Sequence, residues 1–240
     1  MNTSAAGPAQ IARTHTTDGS LTTRALGRSV SWPAYAFLAA TAVYVAALLL
    51  NGVAGMPMPP IVATRVVASL SVFAGAPALV WFVVLIARSR SSRHPVAARV
   101  ALTAVAVFAV VAITNRVLQL AIATQLISEP DLYVAPSPAN FAEMFAWDFC
   151  LGVVALSLRL LLTETAESSC RRTFVVAGLL LLGGELTFLL SVANLGGLAV
   201  ALTGMALSVA AWVVALPAAV LWTTFAAGHE DLAPTRPLPC

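Results

Sequence analysis

Six long apolar segments constrain this chain more than any other feature of its sequence. They lie at about residues 33–51, 62–87, 97–125, 140–163, 173–194 and 197–226. A helix that crosses a membrane needs about 20 mostly apolar residues, and each segment reaches about that length with few charges. Strands of a membrane barrel are shorter and alternate apolar with polar residues, so helices are favoured. The sequence therefore predicts an all-α bundle of six transmembrane helices.

The composition agrees with lipid as the main solvent. The chain has 240 residues, of which 60% are hydrophobic and 10% are charged. A soluble domain usually carries roughly a quarter charged residues, so this chain has too few polar side chains to cover its surface in water. We expect its partners to be the lipid bilayer and a lipophilic small molecule rather than a nucleic acid, and its location to be the plasma membrane.

The distribution of polar residues suggests three parts. The first thirty residues are polar and lack the short apolar core and small-residue cleavage site of a signal peptide. We expect 1–31 to be a disordered cytoplasmic arm, 32–227 to be the six-helix transmembrane domain, and 228–240 to be a short cytoplasmic tail.

The arginines predict the orientation of the bundle. All thirteen basic residues are arginine, because the chain has no lysine. Eleven of them fall on one side of the membrane if both termini are cytoplasmic: Arg13, Arg24, Arg28, Arg88, Arg90, Arg93, Arg99, Arg159, Arg171, Arg172 and Arg236. Since basic residues concentrate in cytoplasmic connections, both termini are predicted to be cytoplasmic.

Polar side chains within the apolar segments are the candidates for a site. In the predicted topology, five ionisable residues from four helices lie at similar heights in the outer half of the bundle: Arg65, Arg116, Glu143, Asp148 and Glu185. Intramembrane charges are costly and usually face the bundle interior or a wet cavity, where they pair. Asn115 and Arg116 share a helix face with Gln119, as Glu143 does with Trp147. The pattern predicts one shared polar pocket that opens toward the outer leaflet.

Counting these charges singles out the acids. Two arginines face three carboxyl groups, so one acid is left without a match, and a carboxyl in apolar surroundings favours its protonated form. Such a group can donate a proton to an alkene, epoxide or enol, or relay one during transport. We expect Glu185, Asp148 and Glu143 to be the catalytic candidates, and Asn115, Arg116, Gln119, Arg65 and Trp147 to be the substrate-binding candidates. Alternatively, Arg116 forms a buried structural ion pair with Asp148 or Glu185.

Four of these residues have structural alternatives. Arg65 can extend its side chain to the membrane interface. Glu143 follows Asn140 by three residues, which is the spacing of a helix-start capping pair. Gln119 can hydrogen-bond to a neighbouring helix, and Trp147 can belong to the aromatic belt of a membrane interface.

Several chemistries are disfavoured by residues that the sequence lacks. Without lysine, the chain cannot form a retinal or pyridoxal Schiff base. The three histidines, His15, His94 and His229, all lie outside the apolar segments, and no DxxxD or DDxxD spacing is present to hold magnesium against a diphosphate. The three cysteines are far apart and suggest neither a disulfide framework nor a zinc site. We expect neither a metal nor a cofactor.

Two short patterns resemble a known group of proteins. Asn115-Arg116-x-x-Gln119-Leu120 and Glu143-Met144-x-x-Trp147-x-Phe149-x-Leu151-Gly152 resemble elements of a family of uncharacterised bacterial multi-pass membrane proteins of about six spans. The likeness covers about 40 residues and implies a membrane bundle with these residues in its site, but no particular activity. In size and in embedded carboxylates, the chain is also similar to small integral-membrane terpene cyclases, which use carboxylic acids as proton donors without metal.

Three hypotheses follow for the function. The first is a metal-independent membrane cyclase or isomerase that acts on an isoprenoid-like substrate by carboxylic-acid chemistry. The second is a small transporter or a lipid-binding immunity protein that uses the same pocket as a binding site. The third is a non-catalytic membrane scaffold subunit, in which the polar residues only hold helices together.

Overall fold

The computed structural model describes residues 30–47, 59–124, 142–143, 145–162, 168–193, 195 and 197–229. Every regular element in these ranges is helical, which confirms the all-α prediction. The predicted arm at 1–31 lies almost wholly outside the described residues, and so does most of the tail at 228–240. The boundaries of these two parts therefore stay predictions.

Six helices correspond to the six predicted segments. The first three are α1 (Val30–Ala47), α2 (Pro59–Arg90) and α3 (Pro95–Ala123). The fourth, α4, consists of a π-helical part, Phe145–Cys150, and an α-helical part, Leu151–Leu161. After α5 (Ser168–Val192), α6 follows in three parts: Gly197–Ala210, the π-helical Ala211–Ala215, and Leu216–His229. Both α2 and α3 begin with proline, which suits a first turn because the missing N–H has no partner there.

Counting described residues alone, five of the six helices are long and apolar enough to cross a membrane, α4 being the exception. The described part of α4 has 6 π-helical and 11 α-helical residues. Large apolar side chains cover the outside of the bundle, and Val110 and Leu198 are 66% and 75% exposed. An exterior this apolar is typical of helices that face lipid.

The helices pack in chain order, with neighbours antiparallel. Contacts join α2 to α3, α3 to α4, α4 to α5 and α5 to α6. The first helix meets α2 where Ala40 faces Gly75, and it meets α6 where Tyr44 faces Trp212. Six helices that alternate in direction therefore enclose one interior, to which α1, α3, α4 and α6 each contribute an aromatic ring.

Glycines bring α5 unusually close to both of its neighbours. A Cβ atom added at Gly178 would lie 3.1 Å from the carbonyl oxygen of Gly152 on α4. One added at Gly184 would lie 3.3 Å from the carbonyl oxygen of Gly204 on α6. Small residues let helix backbones approach in this way within apolar bundles. The close packing places Glu185, the residue after Gly184, against α4.

Arginines concentrate at one end of the bundle, which we call the arginine-rich end. It contains the α2–α3 connection, the end of α4 and the start of α5, with Arg88, Arg90, Arg93, Arg99, Arg159, Arg171 and Arg172. Toward the opposite end, the buried Arg116 is the one arginine among the side chains that the structure describes.

Candidate functional site

A network of polar side chains surrounds Arg116 on α3. Its Nη1 donates a hydrogen bond of 2.6 Å to Oε1 of Gln119, and its Nη2 donates one of 3.1 Å to the hydroxyl of Tyr44 on α1. The same Nη2 forms an ion pair with Oε1 of Glu143, just before the π-helical start of α4. The guanidinium carbon also lies 5.5 Å from the centroid of the Tyr44 ring, within the range of a cation–π contact. Arg116 thereby connects three helices.

Glu143 is the carboxylate partner of Arg116, which corrects the alternative that paired the arginine with Asp148 or Glu185. The side chain of Arg116 is 8% exposed and that of Glu143 is 19% exposed. A buried guanidinium requires a nearby anion. Because α3 and α4 are antiparallel, Glu143 lies at the height of Arg116, whereas Asp148 lies deeper. Asn115, next to Arg116, is also buried.

Asp148 and Glu185 form a second polar group. Oδ2 of Asp148 accepts a hydrogen bond of 2.7 Å from the hydroxyl of Ser208 on α6. Asp148 is 2% exposed and Glu185 is 7% exposed, and Oε2 of Glu185 has no hydrogen-bond partner within the described part of the chain. The two carboxyl groups lie close enough for their charges to interact. Among the described side chains, no arginine is bonded to either of them.

An aromatic cluster of Tyr44, Phe108, Trp147 and Trp212 fills the interior beside both polar groups. The centroid of the Trp147 ring lies 4.0 Å from that of Trp212 and 4.8 Å from that of Phe108. Tyr44 stacks on Trp147 at 6.1 Å. Trp147 therefore packs in the interior rather than in an interfacial belt.

The interior beside this aromatic cluster has little free space. The cavity against it, between α1 and α2, has a volume of about 20 Å³, which is room for one water molecule. The described polar residues thus form two groups, one around Arg116 and one at Asp148 and Glu185. The single pocket predicted to open toward the outer leaflet stays a prediction, because residues 125–141, which connect α3 to α4, lie outside the described residues.

Two π-helical turns position the key side chains of this interior. Phe145–Cys150 contains Trp147 and Asp148, and Ala211–Ala215 contains Trp212. A π-helix closes i→i+5 hydrogen bonds, so its wider turn changes the direction in which flanking side chains point, and such turns are frequent at functional sites. The sequence did not predict these π-helical turns. In a helix whose residues are nearly all apolar, one extra residue in a turn leaves no visible break in the spacing of polar and apolar residues.

A groove on the outside of the bundle runs between α3 and α4. Its volume is about 420 Å³, within the range of sites for small molecules. Arg99 lines one end, Phe145 and Phe149 stack 4.8 Å apart at the other, and Cys150 lies at its floor. Cys150 is 4% exposed, and its thiol lies close enough to Glu185 for an electrostatic interaction with that carboxyl group. The groove thus approaches the Asp148–Glu185 group from the lipid-facing side.

The structure places the predicted site residues in two separate groups. It brings Arg116, Gln119 and Glu143 together, and it brings Asp148 and Glu185 together. The side chain of Arg65 lies outside the described residues. The partners that sequence analysis missed are Tyr44, Ser208 and Trp212. They lie on α1 and α6, whose described side chains include no carboxylate and no arginine.

No family model, curated protein or solved structure matches this chain. Within the described residues, no three His, Cys, Asp or Glu side chains are grouped as ligands of a metal ion. The resemblances to the bacterial multi-pass family and to membrane terpene cyclases therefore stay predictions, and the function is argued from geometry.

Proposed function

We propose that the protein is an integral membrane enzyme that isomerises or cyclises a lipophilic, isoprenoid-like substrate by proton transfer. The observation that carries the proposal is the Asp148–Glu185 pair: two buried carboxyl groups whose charges interact, with no arginine among the described side chains bonded to either. In apolar surroundings, two neighbouring carboxylates avoid carrying two charges, which favours a proton held by the pair. A carboxylic acid kept in this state is suited to protonate a weak base such as an alkene.

The reaction needs no further reagent. One carboxylic acid donates its proton to a carbon of a C=C bond, which leaves a carbocation on the adjacent carbon. The neighbouring carboxylate then removes a proton from another carbon, either directly or after a second C=C bond has attacked the cation to close a ring. The electron pair of that C–H bond forms the new alkene. The pair ends with one proton, as it began, although on the other carboxyl group. Exchange of this proton with water between turnovers returns the pair to its starting state.

Arg116 and Glu143 are assigned a structural role. Glu143 is already bound to Arg116, and Gln119 and Tyr44 occupy further donors of the same guanidinium. These contacts hold α1, α3 and α4 together near the acid pair. Asn115, Arg65 and Trp147 stay candidates for contact with the substrate.

The membrane setting is part of the proposal. All six helices cross the plasma membrane, and both termini are cytoplasmic, as supported by the arginines gathered at one end of the bundle. The lipophilic substrate reaches the acid pair from the bilayer through the α3–α4 groove, whose floor at Cys150 adjoins Glu185.

Deuterium incorporation tests the chemistry directly. Membranes from cells that lack the gene, which keep the unreacted substrate, are incubated in D₂O with and without the purified protein. Their lipids are then separated by chromatography, since isomers share a mass, and the gene-dependent product is analysed. We expect the enzyme to place a deuteron from solvent on one product carbon. Glu185→Gln and Asp148→Asn should each lower formation of this product by about 100-fold or more, as expected for loss of a general acid or base.

Glu143→Gln is the matched control, because it makes the same chemical change at a carboxyl group that has an arginine partner. It should lower the amount of folded protein but preserve product formation per folded molecule. Normal product formation by Glu185→Gln, or a gene-dependent product free of solvent deuterium, would contradict the proposed chemistry.

A lipid-binding protein without chemistry is the second candidate. It is favoured by the groove, since Cys150 lies between the groove and the acid pair. This alternative predicts that a lipid co-purifies with the protein. The same lipid, chemically unchanged, should also be present in cells that lack the gene.

A further inference from the structure

The α3–α4 groove combines an apolar length with one charge. Its walls are the side chains of α3 from Arg99 to Val107 and those of α4 from Phe145 to Val153. Eight residues of helix separate the ends on each side, which is about 12 Å at roughly 1.5 Å per residue. Apart from Arg99 at one end, Thr103 midway along α3 and the thiol of Cys150, the lining is alanine, valine and phenylalanine.

The charge lies where an amphiphile would place its head group. Arg99 is exposed and lies in the second turn of α3, at the arginine-rich end of the bundle. For helices that span a membrane, this end is at the interface, where lipid head groups lie and where basic side chains attract anionic ones. An arginine binds phosphate or carboxylate oxygens through paired N–H donors. The apolar part of the groove extends from there toward the middle of the bundle.

We propose that the groove binds a single-chain amphiphile with an anionic phosphate head, with the head on Arg99 and the chain directed toward Cys150. The inference rests on the proposed function and names the class of its substrate: a lipid phosphate whose reacting carbons lie up to about 12 Å from the head group. A volume of about 420 Å³ suits one chain, whereas a phospholipid with two acyl chains would leave one chain outside. The groove has one arginine, Arg99, which can bind the one phosphate group of such a lipid.

Binding measurements on the purified full-length protein test this without the reaction. The protein in non-ionic detergent is titrated with radiolabelled dodecyl phosphate, and dodecanol and a two-chain phosphatidylglycerol are used as competitors. We expect dodecyl phosphate to bind at least about tenfold more tightly than dodecanol, because it adds charge-assisted hydrogen bonds to the same apolar contact. Phosphatidylglycerol should compete weakly.

Two substitutions locate the site. Arg99→Gln should remove the preference for phosphate over alcohol, whereas Arg159→Gln should not, since Arg159 lies at the same end of the bundle but does not line the groove. Ala104→Phe should fill the groove and weaken dodecyl phosphate and dodecanol alike. Folding of each variant is checked by size-exclusion chromatography before titration.

The outcomes separate this inference from the proposed function. If Arg99→Gln keeps the phosphate preference, or if phosphatidylglycerol competes as well as dodecyl phosphate, the groove is not the proposed site, whatever the result of the deuterium experiment. If binding behaves as expected but no deuterium is incorporated, the binding site stands and the proposed chemistry fails.

Discussion

Arg116 and Glu143 form an ion pair that contributes to the free energy of unfolding only when both partners are present. Leaving one partner of a buried pair alone costs about 3–5 kcal/mol, whereas replacing both with apolar residues is often neutral. Glu143 is 19% exposed, so we expect a cost below this range, about 2–3 kcal/mol, for Arg116→Leu or Glu143→Leu alone. Thermal unfolding of the purified protein in detergent measures the effect.

The double variant Arg116→Leu/Glu143→Leu distinguishes structure from chemistry at this pair. It should recover most of the stability that each single variant loses, because no uncompensated charge stays in the interior. If the double variant is as unstable as the sum of both single variants, the pair does not act as a unit. Recovery of stability together with unchanged product formation would confirm that Arg116 holds helices and does not contact the substrate.

At the scale of single residues, the sequence indicated which side chains matter better than which partners they take. Arg116, Glu143, Asp148 and Glu185 stand out because charges are rare in apolar helices. Their pairing depends on the relative heights and rotations of α3, α4 and α5, to within about one helical turn. Spacing along one helix does not contain that information, so the sequence left several pairings of Arg116 open.

At the scale of helices, the contact between α5 and α6 is set by two adjacent glycines with different surroundings. A Cβ atom at Gly184 would lie 2.1 Å from the hydroxyl oxygen of Ser208, whereas one at Gly183 would lie 3.5 Å from its nearest neighbour, a methyl group of Leu207. We expect Gly184→Ala to destabilise the bundle by about 1–3 kcal/mol through overpacking. Gly183→Ala is the matched control and should have little effect.

The same substitution also tests the environment of Asp148. To relieve the clash at Gly184→Ala, Ser208 must move, and its 2.7 Å hydrogen bond to Asp148 is then broken. Adding Ser208→Ala removes the clashing oxygen and should restore part of the stability but not the hydrogen bond. Unfolding curves in detergent for the wild type and these three variants measure the effects. Equal stability of Gly183→Ala and Gly184→Ala would contradict the close packing of α5 and α6.

The helices themselves follow from the sequence, but their irregular turns do not. Apolar length predicted six helices to within a few residues, because a lipid-exposed backbone has to satisfy its own hydrogen bonds. The π-helical turns at Phe145–Cys150 and Ala211–Ala215 depend instead on tertiary packing, where Trp147 meets Trp212 at 4.0 Å. The interior of the site is therefore the part that the sequence predicted least.

At the scale of the whole molecule, the side of the membrane on which the arginine-rich end lies determines the orientation of the bundle. We expect this end to be cytoplasmic. The connection between α2 and α3 then lies inside the cell, and the short turn between α5 and α6 lies outside. Both connections offer an exposed position for labelling, Ser92 in the first and Leu195 in the second. Since the native Cys150 and Cys170 are buried, they should react little and provide a low background.

Labelling of cysteine variants in intact cells tests this orientation. In a Cys240→Ala background, a membrane-impermeant maleimide should label the Leu195→Cys variant in intact cells, but the Ser92→Cys variant only after the cells are permeabilised. Labelling of Ser92→Cys in intact cells would place the arginine-rich end outside. Arg99 would then face the outer leaflet, and the proposed lipid phosphate would have to approach the groove from there. The direction of labelling thus decides which leaflet can supply the amphiphile to the groove.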